Sequence, residues 1–366
     1  VSKVVCHIST VHFAFDDRIF YKECISLAKA GYKVFLIVQH SKSETVNNIN
    51  ILALPKFSGR LARLIKGSIK AFKLAKTTKA NIFHFHDPEL MFMGVFLKLS
   101  GRKVIYDVHE NVSRQIASKE WINPPFLRKT IAFFYKIAEK FCCLFFDKIV
   151  TVIPEIAEEF STQKSVVIKN LPILGLINPI EREPSDKVKI VYAGGLTRNR
   201  GLKEVILAIE AIETPIEFLI MGQWAEKDYY NECKIHKGWG KVNYIGHVNL
   251  DEVFEKLVSC DIGVALLYPD ENYLRSLPVK AFEYLACGLP IIMSDFPYWK
   301  QTFVSGALFT NPKNIQQITE SLNLLINNPD IRSKMANEGR KLVIEKYSWE
   351  AESEKLINLY NELSAH

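Results

Sequence analysis

Two short runs hold the residues whose types and spacing could do chemistry. The first is Tyr192-Ala193-Gly194-Gly195-Leu196-Thr197-Arg198-Asn199-Arg200-Gly201. A glycine pair lets a backbone approach an anion closely. The helix expected to open after it offers free N–H groups and a positive dipole end. Arg198 and Arg200 add full charges that suit phosphate oxygens. A tight strand-to-helix turn with solvated arginines would show the same residues. The run is not G-x-G-x-x-G, and no equivalent glycine loop follows the first strand of the N-terminal half. Both points argue against a dinucleotide dehydrogenase. The second run is Ser276-Leu277-Pro278-Val279-Lys280-Ala281-Phe282-Glu283-Tyr284-Leu285-Ala286-Cys287-Gly288. Pro278 suits a first helical position and Gly288 the position past the end. Lys280 and Glu283 are three apart and share one face near the helix start. A carboxylate there can accept two sugar hydroxyls and a lysine can meet phosphate, while a plain surface ion pair is the competing reading.

The N-terminal half offers weaker constellations. His84 and His86 alternate on a strand, with Asp87 next. That is either an H-x-H metal pair or a strand end lining a cleft. With no further ligands at metal spacing, the cleft reading is preferred and no metal is expected. Asp16-Asp17 could be an acidic metal pair, but a two-domain layout favours Asp16 and Arg18 ordering the loop after the first strand and facing an acceptor. His109-Glu110 is a candidate acid/base pair or a satisfied loop histidine.

The elements that must position these residues alternate between short β-rich runs and helical periodicity. Strands are expected at 3–9, 33–38, 49–54, 81–86, 103–107 and 148–153. Helices are expected at 18–30, 59–78, 88–99 and 125–146. Residues 170–187, with Pro172, Pro179 and Pro184, read as a linker. A second series follows, with strands at 188–192, 216–221, 242–245, 262–266 and 290–293. Its helices fall at 202–212, 251–258 and 278–287, and the chain is largely helical from 315 to 363. Repeated βα units predict two doubly wound α/β domains with parallel sheets covered on both faces.

Composition limits the function classes. Of 366 residues, 48% are hydrophobic and 24% charged, with 23 Phe and 14 Tyr, which excludes a disordered or collagen-like chain. The seven cysteines are scattered without C-x-x-C and read as reduced, buried thiols of a cytosolic protein. The start, VSKVVCHIST, enters a strand-like run, so no signal peptide is expected, and no stretch reaches membrane-span length. The net charge of +7 is uneven: residues 1–180 carry 26 basic and 14 acidic residues, against 21 and 26 in the remainder. Residues 56–79 hold eight basic residues and no acid. There Leu61, Leu64, Ile65, Ile69 and Phe72 fall at helical spacing. This is a basic amphipathic helix suited to anionic lipid, or an ordinary helix packed on the sheet by its apolar stripe. Helix 125–146 adds Arg128, Lys129, Lys136 and Lys140 to a very apolar run. No nucleic-acid motif accompanies the charge, so nucleic acid is not an expected partner.

The run P-x-K-x-x-E-Y-x-A-x-G-x-P-I-I-x-S-D, with G-G-L-T-R-N-R-G before it, resembles the donor site of family 4 retaining glycosyltransferases of the GT-B fold. Further matches are His12-x-x-x-Asp16-x-Arg18-Ile19-Phe20, His84-x-His86-Asp87-Pro88-Glu89, Tyr106-Asp107-Val108-His109-Glu110, Gly246-His247-Val248 and Tyr347-Ser348-Trp349-Glu350. The resemblance implies two Rossmann-like domains with an interdomain cleft. Residues 1–175 would bind acceptor, with helix 348–366 packing back on them, and residues 176–347 would bind a nucleotide-sugar. It implies that Glu283 holds the ribose, that Arg200 contacts the diphosphate, that Gly194 and Gly195 admit the phosphates, and that His109 faces the reacting sugar. Lys280 is expected near the diphosphate. Gly222, His247, Ser276 and Leu277 complete the expected donor set. His12, Asp16, Arg18, His86, Asp87 and Glu110 form the acceptor side. Two positions depart from the family pattern. Arg275 stands where a glutamate is usual, and Gly195 stands where an arginine is usual, so Arg198 is expected to substitute.

The expected activity is transfer of a sugar from a nucleotide diphosphate, UDP first and GDP second, to a lipid-linked glycan in bacterial surface polysaccharide assembly. No cofactor or metal is expected. Helices 59–78 and 125–146 would hold the enzyme on the inner face of the cell membrane. The alternatives are a sugar-nucleotide epimerase or hydrolase of the same fold, and a non-catalytic membrane or nucleic-acid binding protein.

Overall fold

The computed structural model describes residues 3–119, 122–177 and 185–365. The expected linker falls partly on residues 178–184, outside the described residues. The chain divides into two compact units, Val1–Asn170 with Ala351–His366, and Leu171–Glu350.

The first unit is built on an eight-stranded sheet. Its strands are β1 (Val4–Phe13), β2 (Lys33–Gln39), β3 (Glu44–Val46), β4 (Ile49–Leu54), β5 (Ile82–Phe85), β6 (Lys103–Val108), β7 (Lys148–Thr151) and β8 (Ser165–Val167). The order is β3-β4-β2-β1-β5-β6-β7-β8, with only the short β3 antiparallel to its neighbour β4. Strand alternation sorts the side chains of the central strands onto two faces. Cys6 and Ile8 of β1, Phe83 and Phe85 of β5, and Val104, Tyr106 and Val108 of β6 join one apolar core with Leu90, Met93, Leu97 and Phe146. The residues between them point the other way. Because His7 pairs with His84, and His84 with Ile105, the opposite face of three adjacent strands gathers His7, His84 and Asp107.

Helical residues cover that polar face. Asp16 caps the first helix, its carboxylate accepting from the backbone N–H of Arg18 and Ile19 at 2.9 Å each. The first turns, Asp17–Cys24, are wound wide, with Tyr21 N reaching back to Asp16 O at 3.3 Å, before an ordinary helix continues over Ile25–Lys29. Gly31, at φ 86°, follows its end. From the C-terminal helix Trp349–Ala365, Tyr360 is buried against His84 and His7.

The second unit is a wholly parallel six-stranded sheet. It comprises β9 (Val188–Ala193), β10 (Ile216–Met221), β11 (Val242–Gly246), β12 (Ile262–Ala265), β13 (Ile291–Ser294) and β14 (Ala307–Thr310). The order β11-β10-β9-β12-β13-β14 is the doubly wound one. The chain reverses its direction of travel between β9 and β12, where such sheets bind ligands at the strand C-termini. Apolar cores lie on both faces, Ile190 and Tyr192 entering one and Val191 the other. The two expected doubly wound α/β domains with parallel sheets are thus present. The expected helical tail is three helices, Ile315–Asn327, Pro329–Lys346 and Trp349–Ala365, broken at Asn328 before Pro329 and again at Tyr347-Ser348. All seven cysteines are buried free thiols.

Backbone contact is tightest beside the end of β9. A Cβ on Gly222, whose φ is 143°, would stand 1.9 Å from Gly194 O, whereas one on Gly195 would meet nothing within 4 Å. Gly222→Ala is therefore expected to cost at least about 2 kcal/mol of unfolding free energy, and Gly195→Ala less than about 0.5 kcal/mol. Urea unfolding of both variants checks this pair of outcomes.

Candidate functional site

In the second unit the glycine loop and the Lys280 helix come together. Gly194 follows β9 at φ 133°, its N–H bonded to Met221 O at 2.9 Å. A Cβ there would stand 2.9 Å from Lys280 Nζ. Lys280, in helix Val279–Ala286, holds its ammonium 3.9 Å above the Tyr192 ring. The Tyr192 hydroxyl, pushed up to about 12 by burial against the pull of Arg200, donates to Gly195 O at 2.8 Å. Lys280 Nζ and Arg200 Nε are both buried without a hydrogen-bond partner. Burial first, then the Arg200 charge, push the Lys280 ammonium well below its ordinary value, while Glu283 pulls the other way. Two neighbouring basic side chains with unused donors, beside glycines that leave backbone open, form a site suited to an anion.

The other expected donor residues are placed differently. Arg198 has its guanidinium bound by Glu226 and Glu232 and stacked 4.9 Å from Tyr229. It is engaged by carboxylates, not held ready for phosphate as a substitute at Gly195. Ser276 uses its carbonyl to accept from Trp299 Nε1 at 2.7 Å, and Leu277 packs on the adjoining core. Gly222 donates to Gly246 O at 2.7 Å, and the exposed His247 follows β11 directly. Arg275 is exposed.

In the first unit the polar face centres on Asp107. Its Oδ2 accepts from Arg18 Nε at 3.1 Å, His86 Nδ1 at 3.0 Å and His109 Nε2 at 2.7 Å, and its Oδ1 from Arg18 Nη2 at 3.2 Å. Burial opposes ionisation, but Arg18 and then His109 hold the carboxyl well below the usual range. Arg18 also donates to Ile168 O at 3.1 Å. Asp87 accepts from Ser9 Oγ, Thr10 N and Oγ1, and Val11 N. His12 Nδ1 meets Asp16 Oδ2 at 2.8 Å. Despite its burial, that bond raises the imidazole above its ordinary value and helps hold Asp16 at about 2. Glu110 is exposed beside Gln115.

Two expectations need correction. Arg18, His86 and Asp87 are 3%, 4% and 2% exposed. They present no surface to an acceptor; Asp107, which Arg18 and His86 contact, also accepts from the partly exposed His109. The sequence also offered no further ligands near His84 and His86, yet the fold supplies them. Two groups have metal-holding geometry among the described residues, His7 with Glu23, His84 and His86, and His86 with Asp107 and His109. His7 and Glu23 escaped notice because strand pairing, not sequence spacing, brings them in. Asp107 carried a readable signal, since it stands two residues before His109 on one strand face.

Comparison with known proteins agrees with this geometry. A model described as Glycosyltransferase Family 4 matches residues 18–170, and one described as Glycosyl transferases group 1 matches residues 176–342. An uncharacterized glycosyltransferase of Methanocaldococcus jannaschii is 22% identical over 364 residues, covering 91% of this chain and 90% of its own. The N,N'-diacetylbacillosaminyl-diphospho-undecaprenol alpha-1,3-N-acetylgalactosaminyltransferase of Campylobacter jejuni is 22% identical over 44% of this chain and 42% of its own. Among solved structures, sucrose-phosphate synthase from Thermosynechococcus elongatus superposes with a TM-score of 0.78 at 16% identity, over 99% of each chain. An Anabaena protein solved with UDP and glucose gives 0.73 at 11% identity, over 98% of this chain and all of its own.

The unfilled cations make a direct prediction. Inorganic pyrophosphate at about 100 times its dissociation constant should stabilise the native state by about 2.7 kcal/mol, read as a rise in Tm. Lys280→Met should abolish most of that rise while leaving the ligand-free Tm equal or higher, because a buried unpaired charge is removed.

Proposed function

The chain is a GT-B glycosyltransferase with a family 4-like first domain and a group 1 second domain, and from that premise we propose a retaining enzyme that moves a sugar from a nucleotide diphosphate to a lipid-linked glycan of bacterial surface polysaccharide. The donor half of this reading is carried by Lys280 Nζ and Arg200 Nε, buried beside the Gly194 loop without hydrogen-bond partners. A diphosphate supplies the charge they lack. As the bond from the anomeric carbon to the phosphate oxygen breaks, negative charge grows on the leaving group. Preorganised cations in a site shielded from water stabilise that charge most strongly. Arg200 brings a permanent charge, and a bound diphosphate favours the protonated form of Lys280 that burial and Arg200 otherwise oppose, so we assign the departing diphosphate to these two groups and not to a metal. The acceptor hydroxyl adds to the face the phosphate leaves. UDP is the first candidate carrier, on the strength of the Anabaena structure solved with UDP and glucose, and GDP the second. Glu283 is assigned to the ribose, and His109, oriented by Asp107, to the acceptor side.

The Campylobacter jejuni relative is named for a diphospho-undecaprenol acceptor, and the surface of the first unit suits such a lipid. In the helical stretch from Arg60 to Thr78, the residues turned inward are small: Gly67, Ala71, Ala75 and Thr78. Leu61, Leu64, Ile65 and Ile69 are exposed, Leu61 by 69%. Of the apolar stripe, Phe72 packs on the core, partly buried, and the other four side chains do not. Helix Pro125–Cys143 likewise exposes Phe126, Phe133, Phe134, Ile137 and Phe141. Exposed apolar faces edged by lysine and arginine fit an anionic membrane interface. No helix among the described residues is long and apolar enough to cross a membrane. We therefore place the enzyme peripherally on the inner face of the cell membrane.

Arg200→Ala should lower sugar transfer at saturating donor and acceptor by at least about 100-fold with an unchanged unfolding curve. Wild-type rates in that variant would sink the assignment. Ile65→Glu with Phe134→Glu should abolish co-sedimentation with phosphatidylglycerol vesicles while leaving the pyrophosphate-induced rise in Tm intact. Undiminished binding, or no binding by the wild type, would remove the membrane from the proposal.

A further inference from the structure

The covered face of the first sheet gathers three imidazoles around a carboxylate that makes no hydrogen bond. His7, His84 and His86 are all buried, with ring centroids 4.7 to 5.3 Å apart. Glu23, from the first helix and fully buried, sets its carboxylate among them. Its Oε2 lies 3.7 Å from His7 Nδ1, 3.7 Å from His84 Nδ1 and 3.9 Å from His86 Nε2. Neither Glu23 oxygen has a hydrogen bond, and His84 Nε2 has none. Arg18 Nε stands 3.0 Å from Glu23 Oε1 as an ion pair only. A buried carboxylate seldom goes without hydrogen bonds, and here what faces it is a set of imidazole nitrogens, of which His7 Nδ1 and His86 Nε2 share a hydrogen bond at 3.0 Å and His84 Nδ1 meets the Tyr360 hydroxyl at 2.8 Å; a metal would replace these bonds.

We propose that His7, Glu23, His84 and His86 form a four-coordinate site for a divalent transition metal of the zinc class. One ligand atom from each lies within 4.8 Å of all the others. Zinc bonds of about 2.0–2.1 Å set the ligand atoms of a tetrahedron roughly 3.3–3.5 Å apart. Four of the spacings straddle that value, at 3.0 Å between His7 Nδ1 and His86 Nε2 and 3.7 to 3.9 Å from Glu23, and every pair lies within 4.8 Å, so closure needs side-chain shifts of about 1 Å. Three imidazoles and a carboxylate select zinc, cobalt, nickel or copper over magnesium and calcium, which take all-oxygen shells. The outward nitrogens of two of the histidines already hold the partners that ligating histidines keep. His86 Nδ1 faces Asp107 at 3.0 Å, and His7 Nε2 faces the Tyr360 hydroxyl at 3.0 Å. Four protein donors leave no open position, so the ion is structural. It ties β1, β5 and the first helix together, and through Tyr360 it backs the C-terminal helix. The inference does not depend on the sugar-transfer reading. The metal-free competitor is a protonated Glu23 beside Asp107.

The test uses tag-free full-length protein. Elemental analysis should find about one zinc per chain, and unfolding in zinc-supplemented buffer should occur about 5–10 °C above unfolding in chelator. Glu23→Gln and His84→Gln should each lose at least about nine-tenths of the metal, while His40→Gln keeps it. Should those variants misfold, wild type refolded with cobalt(II) gives an independent reading, the visible bands of a tetrahedral nitrogen–oxygen site. The proposal is overturned if no metal co-purifies and neither zinc nor cobalt alters Tm or spectrum, which leaves Glu23 protonated. It is equally overturned if Glu23→Gln and His84→Gln retain full metal, which places the ion on the surface.

Discussion

The first unit depends on one buried carboxylate. Asp107 ends a central strand, and Arg18, His86 and His109 all direct N–H groups at it from separate segments. An ionised carboxylate only accepts hydrogen bonds. The nitrogens facing it, His86 Nδ1 and His109 Nε2, must therefore carry hydrogen. In the neutral rings, His86 Nε2 and His109 Nδ1 are then acceptors. Asp107 thus decides what each histidine can do: the inward ring offers a lone pair to the Glu23 cluster, and the partly exposed ring offers one outward. Arg18 makes this possible by supplying the charge that keeps Asp107 ionised in a site where burial alone would neutralise it. Without the carboxylate, the guanidinium would be left buried and uncompensated, the costly half of a broken pair.

The second unit solves a different problem with the opposite arrangement. Its loop side chains do not cross-brace one another; backbones meet where no Cβ fits, as between Gly222 and Gly194 O. Its buried cations are left unmatched, where those of the first unit are paired: Arg18 has Asp107, and Lys22 has Asp17 and Asn170. An unpaired buried cation costs stability unless a ligand completes it. Lys280 and Arg200 therefore mark a place built for something that arrives, and the Asp107 group marks a place built to stay.

Periodicity made most of both sheets legible. Long apolar runs such as Lys33–Gln39 and Ile216–Met221 allow one reading, since strands covered on both faces must be apolar throughout. Short elements were not legible. β8 and β14 lie at sheet edges and are only partly buried, so little hydrophobic pattern marks them. In residues 60–78, periodicity found an apolar stripe but could not say which stripe faces the sheet. Small residues at 67, 71 and 75 take that side because they let the helix lie close, with Phe57 3.3 Å from where a Cβ on Gly67 would be. The donor run was legible because one loop and one helix carry its cations. The carboxylates around Arg198 were not legible, because Glu226 and Glu232 lie far along the chain and pairing across a fold leaves no local trace. His7 and Glu23 were invisible for the same reason.

The charge imbalance between the two halves now divides into two kinds of electrostatics. The C-terminal half carries more acid than base, so its overall field does not draw an anion in. On the proposed reading, recognition there comes at short range, from Lys280 and Arg200, whose buried nitrogens salt screens little. The N-terminal half carries its surplus on exposed lysines and arginines along residues 56–79. Charges of that kind act over about 8 Å at physiological ionic strength and fade as salt rises. Any partner they recruit is held first by attraction and then by the exposed leucines and isoleucines between them. On the proposed reading, the two kinds of electrostatics separate with salt, which weakens association at the exposed surface of the first unit and leaves phosphate binding at Lys280 and Arg200 nearly untouched.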